Sequence, residues 1–482
     1  MLLPSAVLVA LLASVPNYAL ATLDARSPAG QTMQLVRKAP FERTEEEWGI
    51  WAKIHRLGLQ EKYDASTPQR RSVGTNLIIN QNADSSYFGT LAIGTPPISY
   101  SVILDTGSAD LWLAGSSCYM GCNQTVTFNS SASSTFVNQS TPFSVTYGSG
   151  KAVGDLAQDV VQMAGFQVTD QTFAICNQVS TGLLIDPVSG LLGLAFQTIA
   201  SSKAMPFWET LVTEGAWESP LMAFHLTRYI NASGAQVEEP GGSFDMGFTN
   251  SSLYTGDIDY VNMPSRGTYW LLEMTSVTVE GATIPLPSGS DSYAAIDTGT
   301  TLIGGPAVYI AMIFSQIPGA IPGEGNFESY YKYPCDTQVN IQLSFGSKNW
   351  TISSDDFELT RLKGGMCLGP FFVVPTTGAT PAWIIGDTFL KNVYSVFRYN
   401  PPSIGFAQLS ESAIAQNGLN LPPPSATIGT PATSVSAAGT SSVGATTVTA
   451  DSNAALHSSL SFQTSVSVAA VWVMVQLTDF VI

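Results

Sequence analysis

One tripeptide occurs twice in this chain, in surroundings too well matched to be independent. Asp105-Thr106-Gly107 recurs as Asp297-Thr298-Gly299, and each copy follows an apolar run, Tyr100-Ser101-Val102-Ile103-Leu104 in the first and Tyr293-Ala294-Ala295-Ile296 in the second. About 90 residues beyond each aspartate stands an apolar pair followed by glycine, Leu191-Leu192-Gly193 and then Ile384-Ile385-Gly386. Two motifs at matching offsets in each half read as a duplicated lobe, with a site where the copies meet. Each aspartate is expected where a strand enters a turn.

The surrounding sequence agrees with an all-β body. From Tyr87 to about Leu409 the chain consists of short Val/Ile/Tyr/Phe/Thr runs cut by Gly, Pro, Asn and Ser. Charged residues make up only 11% of the chain, against 45% apolar, which is poor in the lysine and glutamate of long surface helices. The 36 acids outnumber 19 bases, and nine of those bases fall within residues 22–71, so the remainder is strongly acidic. Such a surface repels nucleic acid and anionic membrane.

Several segments flank the body. Residues 1–21 carry an apolar stretch and end Ala19-Leu20-Ala21, a signal-peptide pattern, so export is expected. Residues 22–71 form a charged prosegment that ends in the dibasic pair Arg70-Arg71. Two lobes are expected at 72–228 and 229–409. Residues 410–465 are rich in Pro, Ser, Thr and Ala and read as an extended stalk, while residues 466–482 form an apolar tail. Small residues at Asn453-Ala454-Ala455 before that tail fit a GPI signal with Asn453 as candidate attachment site.

Export makes the cysteines and sequons informative. Five cysteines suggest two bridges and one thiol: Cys118 with Cys122 closes a small loop, Cys335 with Cys367 a larger one, and Cys176 lies in an apolar run as a buried, inert thiol. Asn123, Asn129, Asn138, Asn231, Asn250 and Asn349 each head an Asn-x-Ser/Thr triplet and are candidate N-glycosylation sites.

Two carboxylates in hydrogen-bonding contact cannot both ionise readily, so they share a proton and titrate as a pair. That state suits peptide hydrolysis: the ionised member takes a proton from a water while the protonated member donates to the scissile carbonyl, without a covalent intermediate. Glycine after Asp-Thr allows the close backbone approach that a Cβ would obstruct.

Asp105-Thr-Gly-Ser-Ala-Asp-Leu-Trp112 and Ala295-Ile-Asp297-Thr-Gly-Thr-Thr-Leu302 resemble the two active-site signatures of the pepsin family of aspartic peptidases. Phe128–Phe136, Tyr147-Gly-Ser-Gly150, Gly190–Ala195 and Ile385–Leu390 match further family segments in order, so the resemblance covers about Tyr87 to Gln408. It implies the two-lobed pepsin-like fold with a central cleft, an endopeptidase working in acid, and a zymogen whose prosegment bases, Lys38 or Lys53, cover the carboxylates. It also implies a flap tyrosine at Tyr147, with Gly148 and Ser149 at the flap tip and Trp112 hydrogen-bonded to Tyr147. Gly107, Gly299, Thr300 and Thr301 become substrate contacts, Ser108 and Thr300 supports for the aspartates, and Ile103 and Leu191 cleft lining. The sequence departs from the family at Arg398 and Ser189, where aspartate is usual.

Polypeptides are the expected substrates of a monomer with no cofactor and no metal; contact with a membrane or cell wall would come only through the C-terminal anchor. His225 is the one histidine between residues 72 and 409, which excludes an HExxH peptidase, and no Gly-x-Ser-x-Gly supports a serine hydrolase there. The competing expectation is a pepsin-like protein that has lost catalysis and holds peptides or inhibits another enzyme.

Overall fold

Alternation sets the strand that ends on the first aspartate. In Ile98–Asp105 the side chains of Tyr100, Val102 and Leu104 are buried, while Ser101 and Ile103 between them are half-buried. The computed structural model describes residues 72–437 apart from 123, 124, 266, 375–380 and 420. The expected signal peptide, the prosegment with Lys38, Lys53 and Arg70-Arg71, Asn123, and everything beyond 437 including Asn453 lie outside the described residues.

The first half contributes β1 (Gly74–Gln81), β2 (Ser86–Ile93), β3 (Ile98–Asp105), β4 (Leu111–Ala114), β5 (Val137–Tyr147), β6 (Gly150–Met163), β7 (Phe166–Val179) and β8 (Val188–Gly193). Here β3 runs parallel to β8, bringing Asp105 opposite Gly193, and β4 is antiparallel to β8. The second half repeats the arrangement. Strand Tyr293–Ile296 runs parallel to Trp383–Ile385, and Ile303–Gly305 lies antiparallel to that second strand. The sequence duplication is therefore a duplication of topology: in each half the strand before the aspartate lies beside the strand of the apolar pair. The fold is all-β and two-lobed, with short helices such as Phe207–Thr213 and Ala307–Ser315 at its margins.

A sheet joins the halves. From β1 it passes through Glu238–Met246, Leu221–Leu226 and Val393–Arg398 to Ser403–Leu409 and Tyr254–Asn262. Behind it Phe196, Trp208, Trp270 and Tyr399 pack with ring centroids 4.6–6.5 Å apart. The buried indoles are satisfied as well as packed, Trp208 Nε1 donating to Ala195 O and Trp270 Nε1 to Leu194 O, each at 2.9 Å. Both bridges pair as expected, Cys118 with Cys122 and Cys335 with Cys367, and Cys176 is a buried thiol. Burial pushes that thiol up, with the charges of Asp110 and Asp155 adding to the rise, so it carries little thiolate.

A buried ionic cluster pins the turn between β1 and β2 to the second half. Asp84 accepts from Asn80 Nδ2 at 2.6 Å, from the backbone N–H groups of Tyr229 and Ile230 at 2.7 and 3.0 Å, and from Lys391 Nζ at 2.7 Å. Lys391 also meets Asp356 at 2.8 Å, and Asp356 takes a fork of hydrogen bonds from Arg228. Burial alone would push Asp356 up, but the cations of Lys391 and Arg228 outweigh it and hold its carboxyl below the usual range. A depressed carboxylate stabilises the fold above the usual carboxylate pKa, and that contribution fades only as pH falls through the folded value.

The chain beyond Leu409 does not leave the body at once. Gly418 N donates to Arg228 O, Tyr229 OH donates to Leu419 O, and Thr433–Ser436 is a strand parallel to the start of β7. The first part of the stretch expected as an extended stalk is thus laid along the body as far as Ala437. Main-chain pairing needs no apolar composition, which is why composition alone suggested otherwise.

Replacing Lys391 by Met leaves two buried carboxylates without their shared cation and should lower unfolding free energy by about 3–5 kcal/mol in urea titrations. Lys348→Met, whose pair with Asp259 is 3.9 Å long and largely exposed, should cost less than about 1 kcal/mol. Equal losses would contradict the assignment of the cluster as the clamp.

Candidate active site

The two Asp-Thr-Gly turns face each other and are built alike. Asp105 Oδ1 accepts from Gly107 N at 2.7 Å, and Asp297 Oδ1 accepts from Gly299 N at 2.9 Å. The other oxygen of each takes a hydroxyl three residues on: Ser108 Oγ donates to Asp105 Oδ2 at 2.5 Å, and Thr300 Oγ1 donates to Asp297 Oδ2 at 2.7 Å. The two carboxyls lie close enough together that the charge of Asp297 acts on Asp105. Gly107 and Gly299 are required by space: a Cβ on Gly107 would stand 2.5 Å from the Asp297 carboxyl, and one on Gly299 would collide with Asp105.

The threonines between aspartate and glycine hold the turns together, a role the sequence reading did not assign. Thr106 N donates to Thr298 Oγ1 at 3.1 Å and Thr298 N to Thr106 Oγ1 at 3.0 Å. Each hydroxyl in turn donates across the interface, Thr106 Oγ1 to Ile296 O at 2.8 Å and Thr298 Oγ1 to Leu104 O at 2.6 Å. Both threonines are almost wholly buried. The signal was on the page, since threonine is the middle letter of both copies, but its partner lies 192 residues away.

Electrostatics follow from this enclosure. Burial pushes Asp105 well above the usual carboxylate range and the charge of Asp297 adds to the rise, while hydrogen bonds from Ser108 and Gly107 oppose it. The titration belongs to the pair rather than to either residue. Burial also raises the phenol of Tyr269, with Asp297 and then Asp105 contributing, which marks Tyr269 as a neighbour of the pair that the sequence reading passed over.

Near this pair lies the β5–β6 hairpin, where burial raises the Tyr147 phenol and the charge of Asp105 adds to the rise. Tyr147 ends β5, and Gly148 and Ser149 form its exposed tip. Trp112 Nε1 donates to Tyr147 OH at 2.8 Å. Ile103, Tyr147 and Leu191 belong to one apolar cluster with Trp112 and Phe143, so the expected cleft lining is brought together. Thr301 is different: its hydroxyl is spent on Ser85 O at 2.7 Å, a tie to the first half.

The remaining expectations fall away from the pair. Asn129, Asn138, Asn231 and Asn349 are exposed, and Asn250 is half-buried. His225 is a strand residue whose burial lowers its pKa to about 4. Of the departures, Arg398 stacks 3.9 Å over the Tyr260 ring, and Ser189 is fully buried.

Thr106→Val and Thr298→Val should each lower stability by about 1–3 kcal/mol, because each leaves a buried N–H or carbonyl without its partner. The double variant should lose less than the sum in denaturant titrations, since both act in one lattice. Full additivity would show that the crossed bonds do not work as a unit.

Comparison with known proteins follows the same lines. The family model described as eukaryotic aspartyl protease matches residues 86–409. Major aspartyl peptidase 1 of Cryptococcus neoformans is 45% identical over 352 residues, covering 71% of this chain and 72% of its own. Cathepsin D of Canis lupus familiaris is 34% identical over 67% of this chain and 81% of its own, and vacuolar protease A of Arthroderma otae 31% identical over 72% and 85%. With the duplicated topology, the paired carboxyls and these similarities together, the chain belongs to the eukaryotic aspartyl protease family, as a pepsin-like aspartic endopeptidase.

Proposed function

We propose that the protein is a secreted endopeptidase, made as a zymogen, that cleaves internal peptide bonds in acid through Asp105 and Asp297. The observation that carries this reading is the facing pair of carboxyls held in two matching cages. With one proton on the pair, the ionised oxygen accepts a proton from a water as that water attacks the scissile carbonyl, while the protonated carboxyl donates to the carbonyl oxygen. The resulting tetrahedral species collapses with proton transfer to the leaving amine, and the pair regains its single proton.

Each neighbour has a part in that sequence. Hydrogen bonds from Gly107, Ser108, Gly299 and Thr300 fix the carboxyl planes, so little reorganisation accompanies the proton transfers. The β5–β6 hairpin, with Tyr147 oriented by Trp112, closes over an extended peptide and excludes bulk water. Ile103, Tyr147 and Leu191 offer an apolar wall to the residues flanking the bond.

Buried acids support the acidic workplace. Burial pushes Asp105, Asp245 and Asp387 upward, and Asp387 Oδ1 has no hydrogen-bond partner among the described residues. An acid whose folded pKa is raised favours folding most below its unfolded pKa, and that contribution is lost as pH rises through the folded value. These three carboxyls therefore favour the fold in acid. Export, prosegment removal near Arg71, N-glycosylation at the sequons, a monomeric state and a GPI anchor at Asn453 complete the proposal, on the sequence patterns alone.

The test is cleavage of a denatured protein between about pH 3 and 7 by the secreted enzyme and by Asp105→Asn and Asp297→Asn, with products located by mass spectrometry. Acid-dependent internal cleavage should fall by at least about 1,000-fold in either variant. Correctly processed wild type without cleavage would overturn the reading in favour of a peptide-binding protein.

A further inference from the structure

The family match ends at residue 409, yet the chain continues along the body for more than two dozen residues. After meeting Arg228 and Tyr229 at the junction of the halves, it runs on to the first half. There Thr427 is held twice: its Oγ1 accepts from Leu77 N at 2.9 Å and its carbonyl from Asn76 Nδ2 at 3.3 Å. Gly165 then both donates to Ile428 O and accepts from Ala432 N, each at 2.8 Å. Gly429 has φ +74, and a Cβ on it would stand 2.8 Å from Gly165 N, so the two chains cross where only glycine fits.

Beyond the crossing, Thr433–Ser436 lies parallel to Phe166–Thr169 of β7. The pairing uses a stretch of β7 whose other side is taken by β6, whereas the β4 pairing begins only at Ala174. Thr433 and Val435 face inward and are buried, and Ser434 and Ser436 face out. Val435 joins the core that contains Phe166 and Trp217. Gln167 Nε2 donates to Ser434 Oγ at 3.0 Å, Thr169 Oγ1 to Val435 O at 3.3 Å, and Ala437 N to Thr169 O at 3.0 Å.

The same segment reaches the beginning of the body. Ser72 Oγ and Thr433 Oγ1 are hydrogen-bonded at 2.8 Å. Ser72 is itself threaded past Trp217, its N–H donating to Ala216 O at 2.9 Å and its carbonyl accepting from Glu218 N at 3.1 Å.

We propose that the Gly165 crossing and the free side of Phe166–Thr169 form a strand-docking surface whose occupant is this chain's own Leu421–Ala437, a strap that the working enzyme retains and that seats Ser72 at the head of β1. An unpaired strand edge is a template for foreign strands, and the strap covers it. The surface selects a parallel strand through main-chain bonds, with a glycine at the crossing and a small apolar side chain, Val435, turned into the core. Polar, Ser/Thr-rich sequence suits such a strap because its outward side chains face solvent. The inference is independent of how the enzyme is activated or anchored.

Limited proteolysis of the full secreted chain with an added protease, in a form silenced by Asp105→Asn, tests it. Cuts should fall downstream of Ala437, and Leu421–Ala437 should stay with the body. In Gly429→Val or Val435→Asp added to that form, cuts should appear within the strap and Tm should fall by roughly 5 °C. A synthetic Leu421–Ala437 peptide should then restore Tm to the Val435→Asp form. Release of the strap from the parent chain as fast as from the variants, with Tm unchanged, would overturn the proposal. If neither variant folds, the cleavage map of the parent chain decides alone.

Discussion

The crossed hydrogen bonds between Thr106 and Thr298 are the constraint on which the site depends. Each backbone N–H is satisfied by the other half's hydroxyl, and each hydroxyl is satisfied by a carbonyl one residue before the other aspartate. Neither turn can shift without orphaning a buried polar group in both, so two flexible loops act as one rigid support. The aspartates next to these threonines inherit that rigidity. Burial and then the charge of Asp297 raise the affinity of Asp105 for a proton, and in the proposed mechanism a shared proton gives one group the base role and the other the acid role.

Charge is handled differently a short way off. Around Lys391, cations meet Asp84 and Asp356 directly, and against the push of burial Lys391 and Arg228 hold the Asp356 carboxyl below the usual range. Asp387, four residues before Lys391, lies among acids: burial pushes it well above the usual range, with Lys391 opposing and Asp297 adding. The protein thus places neutralised carboxylates behind the site and an under-neutralised pair within it. The same burial gives a clamp in one place and a proton store in the other, and the position of cations decides which.

Much of this was legible in the sequence, because the chemistry lies close along the chain. Asp105, Gly107 and Ser108 fall within four consecutive positions, as do Asp297, Gly299 and Thr300, and the apolar run before each aspartate announces where they emerge. Trp112 and Tyr147 followed from the resemblance and meet as it implied. What stayed hidden depends on contacts between distant residues: Thr106 with Thr298, and Lys391 with Asp84 at a separation of 307. The strap was hidden for another reason. Its docking rests on main-chain bonds and a glycine crossing, to which hydrophobic patterning is blind.

The central claim is that one proton shared by Asp105 and Asp297 governs turnover, and the pH dependence of kcat/KM on a soluble peptide tests it most directly, with wild type beside Ser108→Ala. The wild-type profile should be a bell bounded by two ionisations of the pair. Ser108 holds Asp105 down by its hydrogen bond, so its removal raises the affinity of Asp105 for a proton and moves the limb at which Asp105 titrates to higher pH. A wild-type profile with a single ionisation, or both limbs unmoved in Ser108→Ala while activity persists, would contradict it.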